Sequence, residues 1–234
     1  MTDPTVVLVH GAFADASGFA GVIRELENAG HPVVAPPNPL RSVASDAAGI
    51  AAAVSAIDGP VVLVGHSYGG AVITQASAGL DNVTALVYLA AFGLDVGESC
   101  ASVQEPFPPP LLATTAAPTP YDAPGAAGGP DLYIRKDGFR ETFCADVPVD
   151  VADVMFATQR PLAAAALGEK ATAAGWKAKP SWFLVSEHDN AIPPDAERFM
   201  AKRMGAKTET INGSHTAFIA DPVAVAAFIR QALT

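Results

Sequence analysis

The sequence predicts an α/β protein: a mostly parallel six-stranded sheet flanked by helices, interrupted by an inserted segment. Three observations carry this. Short apolar runs rich in β-branched residues alternate with segments of helical period over residues 5–94, and again over 180–234. The runs are continuously apolar, the pattern of strands buried on both faces. Between them the alternation stops, and eight of the chain's twenty prolines fall between Pro106 and Pro130, with Gly125, Gly128 and Gly129 among them.

Taken in order, Val6 to Val9 is the first strand, and Phe19, Val22, Ile23 and Leu26 mark one face of a helix that Gly30 stops. Pro32 to Ala35 is a short second strand. Ser42 caps a helix of small residues reaching Ile57, which Asp58-Gly59-Pro60 ends. Val61 to Val64 is the third strand, Tyr68 to Ala78 a helix, and Thr84 to Ala91 the fourth strand. The Pro-rich stretch cannot continue the sheet and is expected to run over the surface. Leu132 to Phe143 reads as a hairpin turned at Asp137-Gly138. Helices are expected at Val149 to Gln159 and Pro161 to Ala174. Trp182 to Val185 and Thr208 to Ile211 complete the sheet, with a helix at Asp195 to Met204 between them. Asp221-Pro222 opens a final helix with Val225, Phe228, Ile229 and Leu233 on one face. The division that follows is one catalytic domain, residues 1–94 and 176–234, interrupted by a cap over 95–175.

Composition bounds the function. Half of the 234 residues are apolar and 16% are charged, enough apolar side chain for a sizeable core and too much for a disordered chain. No apolar stretch approaches the roughly 20 residues a bilayer needs, and no basic leader with a cleavable apolar segment follows Met1-Thr2-Asp3-Pro4. A soluble, cytoplasmic protein is expected. The net charge is −10. Residues 1–134 carry only Arg24 and Arg41 against twelve acids, while 135–234 carry twelve of each sign. Such a chain repels polyphosphates, so nucleic acid is not an expected partner. Cys100 and Cys144 are expected to be reduced thiols.

The chemistry lies at the strand ends, where parallel sheets place reactive residues. The third strand runs into Gly65-His66-Ser67-Tyr68-Gly69-Gly70. Gly-x-Ser-x-Gly between a strand and a helix is a nucleophile elbow: the turn lifts the Ser67 hydroxyl above the sheet, and the Tyr68 N–H is placed to donate to an oxyanion. A serine needs a base, and the base an orienting acid. His215, in the loop after the last strand, is the expected base; His188 adjoins the acid and points elsewhere, and His66 is expected to be a packed histidine. Asp189, in the loop after Trp182 to Val185, is the expected acid. Asp95, just past the fourth strand, is a second candidate, and Glu187 and Asp195 are weaker. The Ala12 N–H, in the turn His10-Gly11-Ala12-Phe13, is the second expected oxyanion donor.

Together, His10-Gly11-Ala12-Phe13, the elbow at Ser67, Asp189 followed by Ile192-Pro193, and Ser214-His215 resemble the α/β-hydrolase superfamily. They fall in its order and span both ends of the chain. The short chain and the His-Gly-Ala opening resemble its branch of small methylesterases and hydroxynitrile lyases. The resemblance implies an α/β-hydrolase fold with a cap over the Ser67 edge. Serine at the elbow departs from the dehalogenases and epoxide hydrolases, which use aspartate. Gly11 and Thr216 stand where the lyases carry threonine and lysine, so the sequence is more similar to the esterases.

The expected activity is therefore hydrolysis of a small, largely apolar carboxylic ester through Ser67, His215 and Asp189. A lactonase, a carbon–carbon bond hydrolase or a cofactor-free perhydrolase would use the same three residues, and a ligand receptor could keep them as a vestige. Gly11, Phe13, Phe92, Met155, Phe156, Gln159 and Phe218 are candidate substrate contacts, Gln159 being the strong hydrogen-bonder among them. No metal or other cofactor is expected: the chain has neither a His-Glu-x-x-His motif nor paired cysteines at ligand spacing. It is expected to act as a monomer or homodimer.

Overall fold

The computed structural model of the chain describes residues 3–121 and 129–233. Six strands, β1 (Thr5–Val9), β2 (Val33–Val34), β3 (Val61–His66), β4 (Val83–Leu89), β8 (Ser181–Ser186) and β9 (Lys207–Ile211), form one sheet in the order β2-β1-β3-β4-β8-β9. Every neighbouring pair is parallel.

Successive residues of a strand point to opposite faces, and the sheet uses both. Val7, Val9, Leu63, Tyr88, Phe183 and Val185 face α2 (Val43–Ser55), α3 (Tyr68–Ala76) and α8 (Pro194–Met204). Val6, Leu8, Val62, Val64, Val87 and Leu184 face α1 (Ala20–Asn28) and α10 (Pro222–Arg230). Burying each such side chain fully is worth about 1.5–3 kcal/mol over leaving it in water. The helix ends follow their capping chemistry. Ser42 Oγ accepts from the Ser45 N–H at the start of α2, and Asp221 from the Ala224 N–H at the start of α10. Gly205, at φ 62°, closes α8.

Between β4 and β8 the chain builds a second sheet, antiparallel, of β5 (Ala116–Thr119), β6 (Asp131–Ile134) and β7 (Leu162–Ala163) in that order. Among the described residues it is accompanied by the α-helices α4 (Leu112–Thr115), α5 (Lys136–Phe143), α6 (Val149–Thr158) and α7 (Ala164–Gly168). A last short helix, α9 (Ala217–Ala220), precedes α10. Polar side chains tie the insertion down. Arg41 Nη1 meets Asp131 Oδ1 at 2.7 Å, and the Glu169 carboxylate accepts from the Val43 and Ala44 N–H groups that open α2.

Two local expectations are corrected here. Leu132 to Phe143 is not a hairpin: only the β6 portion is strand, and Lys136–Phe143 is helix. Phe139 and Phe143, four apart, are both buried on one helix face, and Gly138 packs flat against Thr115, so helical burial overrides the Asp-Gly turn signal. Pro161 to Ala174 is not one helix. Leu162 and Ala163 pair with β6, the Ala163 N–H bonds the Leu40 carbonyl, and the Ala171 N–H reaches Glu98, so the backbone donors are taken outside the segment. The Pro-rich stretch runs over the surface as expected, with Pro106, Pro108, Pro109, Pro118, Pro120 and Pro130 exposed; it also supplies the edge strand β5 and, through Phe107 and Pro110, part of the wall of the cavity described below. Pro124, Gly125 and Gly128 lie outside the described residues. Cys100 and Cys144 are separate, buried free thiols, and burial pushes Cys144 up to about 12. Among the described residues no helix is long and apolar enough to cross a membrane.

Candidate active site

The turn from β3 into α3 holds Ser67 at φ 54°, ψ −125°, a backbone region that a residue with a side chain rarely adopts. Its surroundings over-determine this conformation. The Ser67 N–H bonds the Leu89 carbonyl at 3.2 Å, and its own carbonyl accepts from Gly70 at 2.9 Å and Phe92 at 3.1 Å. The turn closes so tightly that a Cβ on Gly65 would lie 2.6 Å from the Gly69 carbonyl oxygen. Gly11 presses on the serine from the next strand: a Cβ there would lie 2.6 Å from Ser67 Cβ and 2.8 Å from the His66 carbonyl oxygen.

His215 stands in the loop between β9 and α9, buried, and lines the same cavity as Ser67. Its Nδ1 is 2.5 Å from Asp189 Oδ2. A carboxylate only accepts, so Nδ1 carries the hydrogen and Nε2 presents a lone pair. Asp189 lies in the loop after β8, fully shielded from solvent at its side chain, and its Oδ1 accepts from the Ala191 N–H at 2.6 Å and the Ile192 N–H at 2.8 Å. Asp95 is engaged elsewhere. Its carboxylate pairs with Lys177 Nζ at 2.5 Å, and that contact holds it below the usual carboxylate range. His188 turns away to Asn212 Oδ1 at 2.6 Å.

His66 is completely buried and supports the neighbouring loop: its Nε2 donates to the His215 carbonyl at 2.9 Å. Burial first, then the nearby His215 ring, hold its pKa well below the ordinary histidine range, so it stays neutral. The loop is also clasped from the insertion. Asp146 accepts from the Ser214 N–H at 2.8 Å and from the Ser214 hydroxyl.

The Ala12 and Tyr68 residues face the cavity, and among the described residues neither amide N–H has a protein acceptor. The Ala12 turn is fixed behind by His10, whose Nδ1 donates to the Gly11 carbonyl at 2.9 Å while its Nε2 accepts from the Asn38 N–H at 3.1 Å. Tyr68 is anchored through its hydroxyl to Asp46 Oδ2 at 3.0 Å. Burial raises both groups, Asp46 and Tyr68.

The cavity encloses about 570 Å³ and is walled mainly by apolar side chains, many from the insertion: Phe107, Leu112, Leu132, Phe143, Leu162 and Leu167. Phe13 and Phe92 line it as well. The other candidate contacts are not brought there. Met155 and Phe218 border a separate depression of about 50 Å³. Phe156 packs edge-on against Phe139 with ring centroids 5.6 Å apart. The Gln159 amide is consumed by the β6 backbone, bonding both the N–H and the carbonyl of Ile134. Gly11 lies under Ser67 rather than on the wall. The insertion's polar side chains on the wall are instead Gln104 and Glu105.

Sequence reasoning also passes over Asp146 and Glu197. Glu197 carries a readable signal, an acid spaced three and four residues from Met200 and Ala201 on the buried face of α8. No group of three His, Cys, Asp or Glu side chains among the described residues is arranged to hold a metal ion.

Known proteins share this architecture. The family model described as Alpha/beta hydrolase family matches residues 6–228. The alpha/beta hydrolase nvfD of Aspergillus novofumigatus is 27% identical over 255 residues, covering 99% of this chain and 97% of that protein. Among solved structures, polyneuridine aldehyde esterase superposes with a TM-score of 0.84 at 18% identity, over 98% of this chain and 99% of that one. An extracellular alpha/beta-hydrolase from a Paenibacillus species superposes at 0.80 with 24% identity, over 98% of each chain. At those identities the likeness of the solved structures is one of fold. The match of nearly the whole sequence to the family model goes further: the chain belongs to the alpha/beta hydrolase family.

Proposed function

We propose that the protein is a serine esterase acting on a neutral, largely apolar carboxylic ester, with Ser67 as nucleophile, His215 as base and Asp189 as the acid that orients it. The observation that carries this reading is the buried His215–Asp189 pair, 2.5 Å apart, with His215 lining the cavity that Ser67 also lines. Polyneuridine aldehyde esterase among the structural neighbours supports ester cleavage as the chemistry.

Ser67 Oγ attacks the ester carbonyl while His215 Nε2 takes its proton; the Asp189 carboxylate steadies the imidazolium. The carbonyl oxygen, now negative, accepts from the Ala12 and Tyr68 N–H groups, and the N-terminal end of α3 adds its dipole. His215 then protonates the leaving alcohol. Water, deprotonated by His215, attacks the acyl-enzyme, and the collapse of that second intermediate returns the proton to Ser67. The insertion acts as a cap, because its side chains close the cavity over the serine. Its apolar wall, with no Lys or Arg among the described lining residues, selects against carboxylate- or phosphate-bearing substrates.

The test is a panel of p-nitrophenyl esters, lactones and amides turned over by the parent protein and by Ser67→Ala. Multiple turnover on esters, reduced by at least about a thousandfold in the variant, is expected. Unchanged turnover in Ser67→Ala removes the assignment, and a single slow turnover with ligand-induced thermal stabilisation would instead mark a receptor.

A further inference from the structure

Glu197 is a carboxyl group that the fold buries completely, on the sheet-facing side of α8. Its Oε2 accepts from the Ser186 N–H at 3.2 Å. Ser186 ends β8, and its carbonyl in turn takes the N–H of Asp189 at 3.4 Å, so Glu197 sits directly beneath the turn that carries the acid. The other oxygen, Oε1, is sealed from solvent and receives no donor among the described residues. What lies within hydrogen-bonding reach of the Glu197 carboxyl is the carboxyl of Asp189.

Two carboxyl groups in hydrogen-bonding contact, away from water, cannot both be ionised; one proton has to lie between them. The donors already present decide which of the two keeps it. Asp189 receives three, from Ala191, Ile192 and His215, all of which favour its charged form. Glu197 receives one. Counting lone pairs, Asp189 Oδ1 is filled by its two amides and Oδ2 has one position left beside the His215 bond. Burial and the adjacent Asp189 charge push the Glu197 carboxyl well above the usual carboxylate range. Arg198, a cation on the same helix, is exposed and already paired with Asp195 and Glu187.

We propose that Glu197 is a positioning residue for the reaction: it remains a neutral acid whose hydroxyl hydrogen bonds Asp189 from behind, fixing the carboxylate that orients His215. It neither gives up its proton nor touches substrate during turnover. The hydrogen bond withdraws part of the Asp189 charge, so His215 is held in its tautomer without becoming too basic to release its proton to the leaving alcohol. This inference rests on the roles proposed above for Asp189 and His215.

The test has two parts. Infrared spectra at neutral pH should show the carbonyl band of a protonated carboxylic acid in the parent protein, absent from Glu197→Gln. This reading needs no turnover, so it stands or falls separately from the assignment of Ser67 as nucleophile; a parent spectrum without the band overturns the inference. In ester assays, Glu197→Gln keeps an N–H donor and should hold kcat/KM within about threefold, with the acid limb of its pH profile in place. Glu197→Met keeps the volume but not the donor, and should lower kcat about tenfold with little change in KM. Its acid limb should move to higher pH, because an unshared Asp189 charge makes His215 more basic. An acid limb that stays put in a folded Glu197→Met overturns the inference. If that variant does not fold, the infrared band and the behaviour of Glu197→Gln decide.

Discussion

At Gly11 and Ser67 two strand ends approach so closely that there is no room for another carbon. A Cβ at 11 would press on Ser67 Cβ at 2.6 Å, and on a backbone oxygen that cannot swing aside. Gly11→Ala is therefore expected to displace the serine and lower kcat/KM by at least about a hundredfold, because a misplacement near 1 Å is enough for that loss. Circular dichroism would confirm that the variant still folds. A variant with unchanged kinetics would show that the elbow relaxes freely. Residues of this kind are legible in sequence because each sits at the end of an apolar strand, where a polar or glycine residue is conspicuous. Gln159 is the opposite case: its side chain reads as free, but it completes the hydrogen bonding of the Ile134 peptide, a partner 25 residues away that no local pattern reveals.

Among elements, the loop between β9 and α9 is held from two directions. His66 of β3 binds the His215 carbonyl, and Asp146 of the insertion binds the Ser214 amide and hydroxyl. The second contact makes the position of His215, the proposed base, depend on the seating of the insertion. Asp146→Ala should lower kcat on esters about tenfold while changing KM little, and Asp146→Asn should recover part of the loss, since an amide oxygen still accepts from Ser214. Equal losses in both variants would show that the charge, not the contact, matters. The parallel sheet is legible element by element, since Val6 to Val9, Val61 to Val64 and Trp182 to Val185 announce themselves by unbroken apolarity. The insertion is not. β6 and β7 are four and two residues long and exist through pairing, β6 with β5 and β7 with β6, and α5 hides behind an Asp-Gly dipeptide until Phe139 and Phe143 find a common core. Cavity walls drawn from such pieces are set by long-range packing, which is why Phe107 and Leu132 could not be foreseen.

For the molecule as a whole, two buried histidines weaken the fold toward acid. His10 and His66 both have pKa values lowered from 6.5, chiefly by burial. Above that pH the folded and unfolded chains are both neutral at these positions. Below it the unfolded chain takes up protons that the folded one refuses, so stability is lost as pH falls. Glu197 and Asp46, whose carboxyls burial raises, act in the opposite sense, because the unfolded chain has already released the protons that they keep. The histidine contribution is therefore read in Glu197→Gln, whose melting temperature should decline between about pH 6.5 and pH 5 more steeply than that of the parent protein. A melting temperature of that variant constant across the interval would show that both rings accept protons in the fold. Ser67 adds a cost of a different sort. Its backbone, at φ 54° and ψ −125°, is one that glycine adopts without strain. Ser67→Gly is expected to melt higher than the parent protein while losing all turnover. A position that the fold would surrender to glycine at no backbone cost is thus the one proposed as nucleophile, so selection for stability alone would erase the proposed activity and leave the architecture standing.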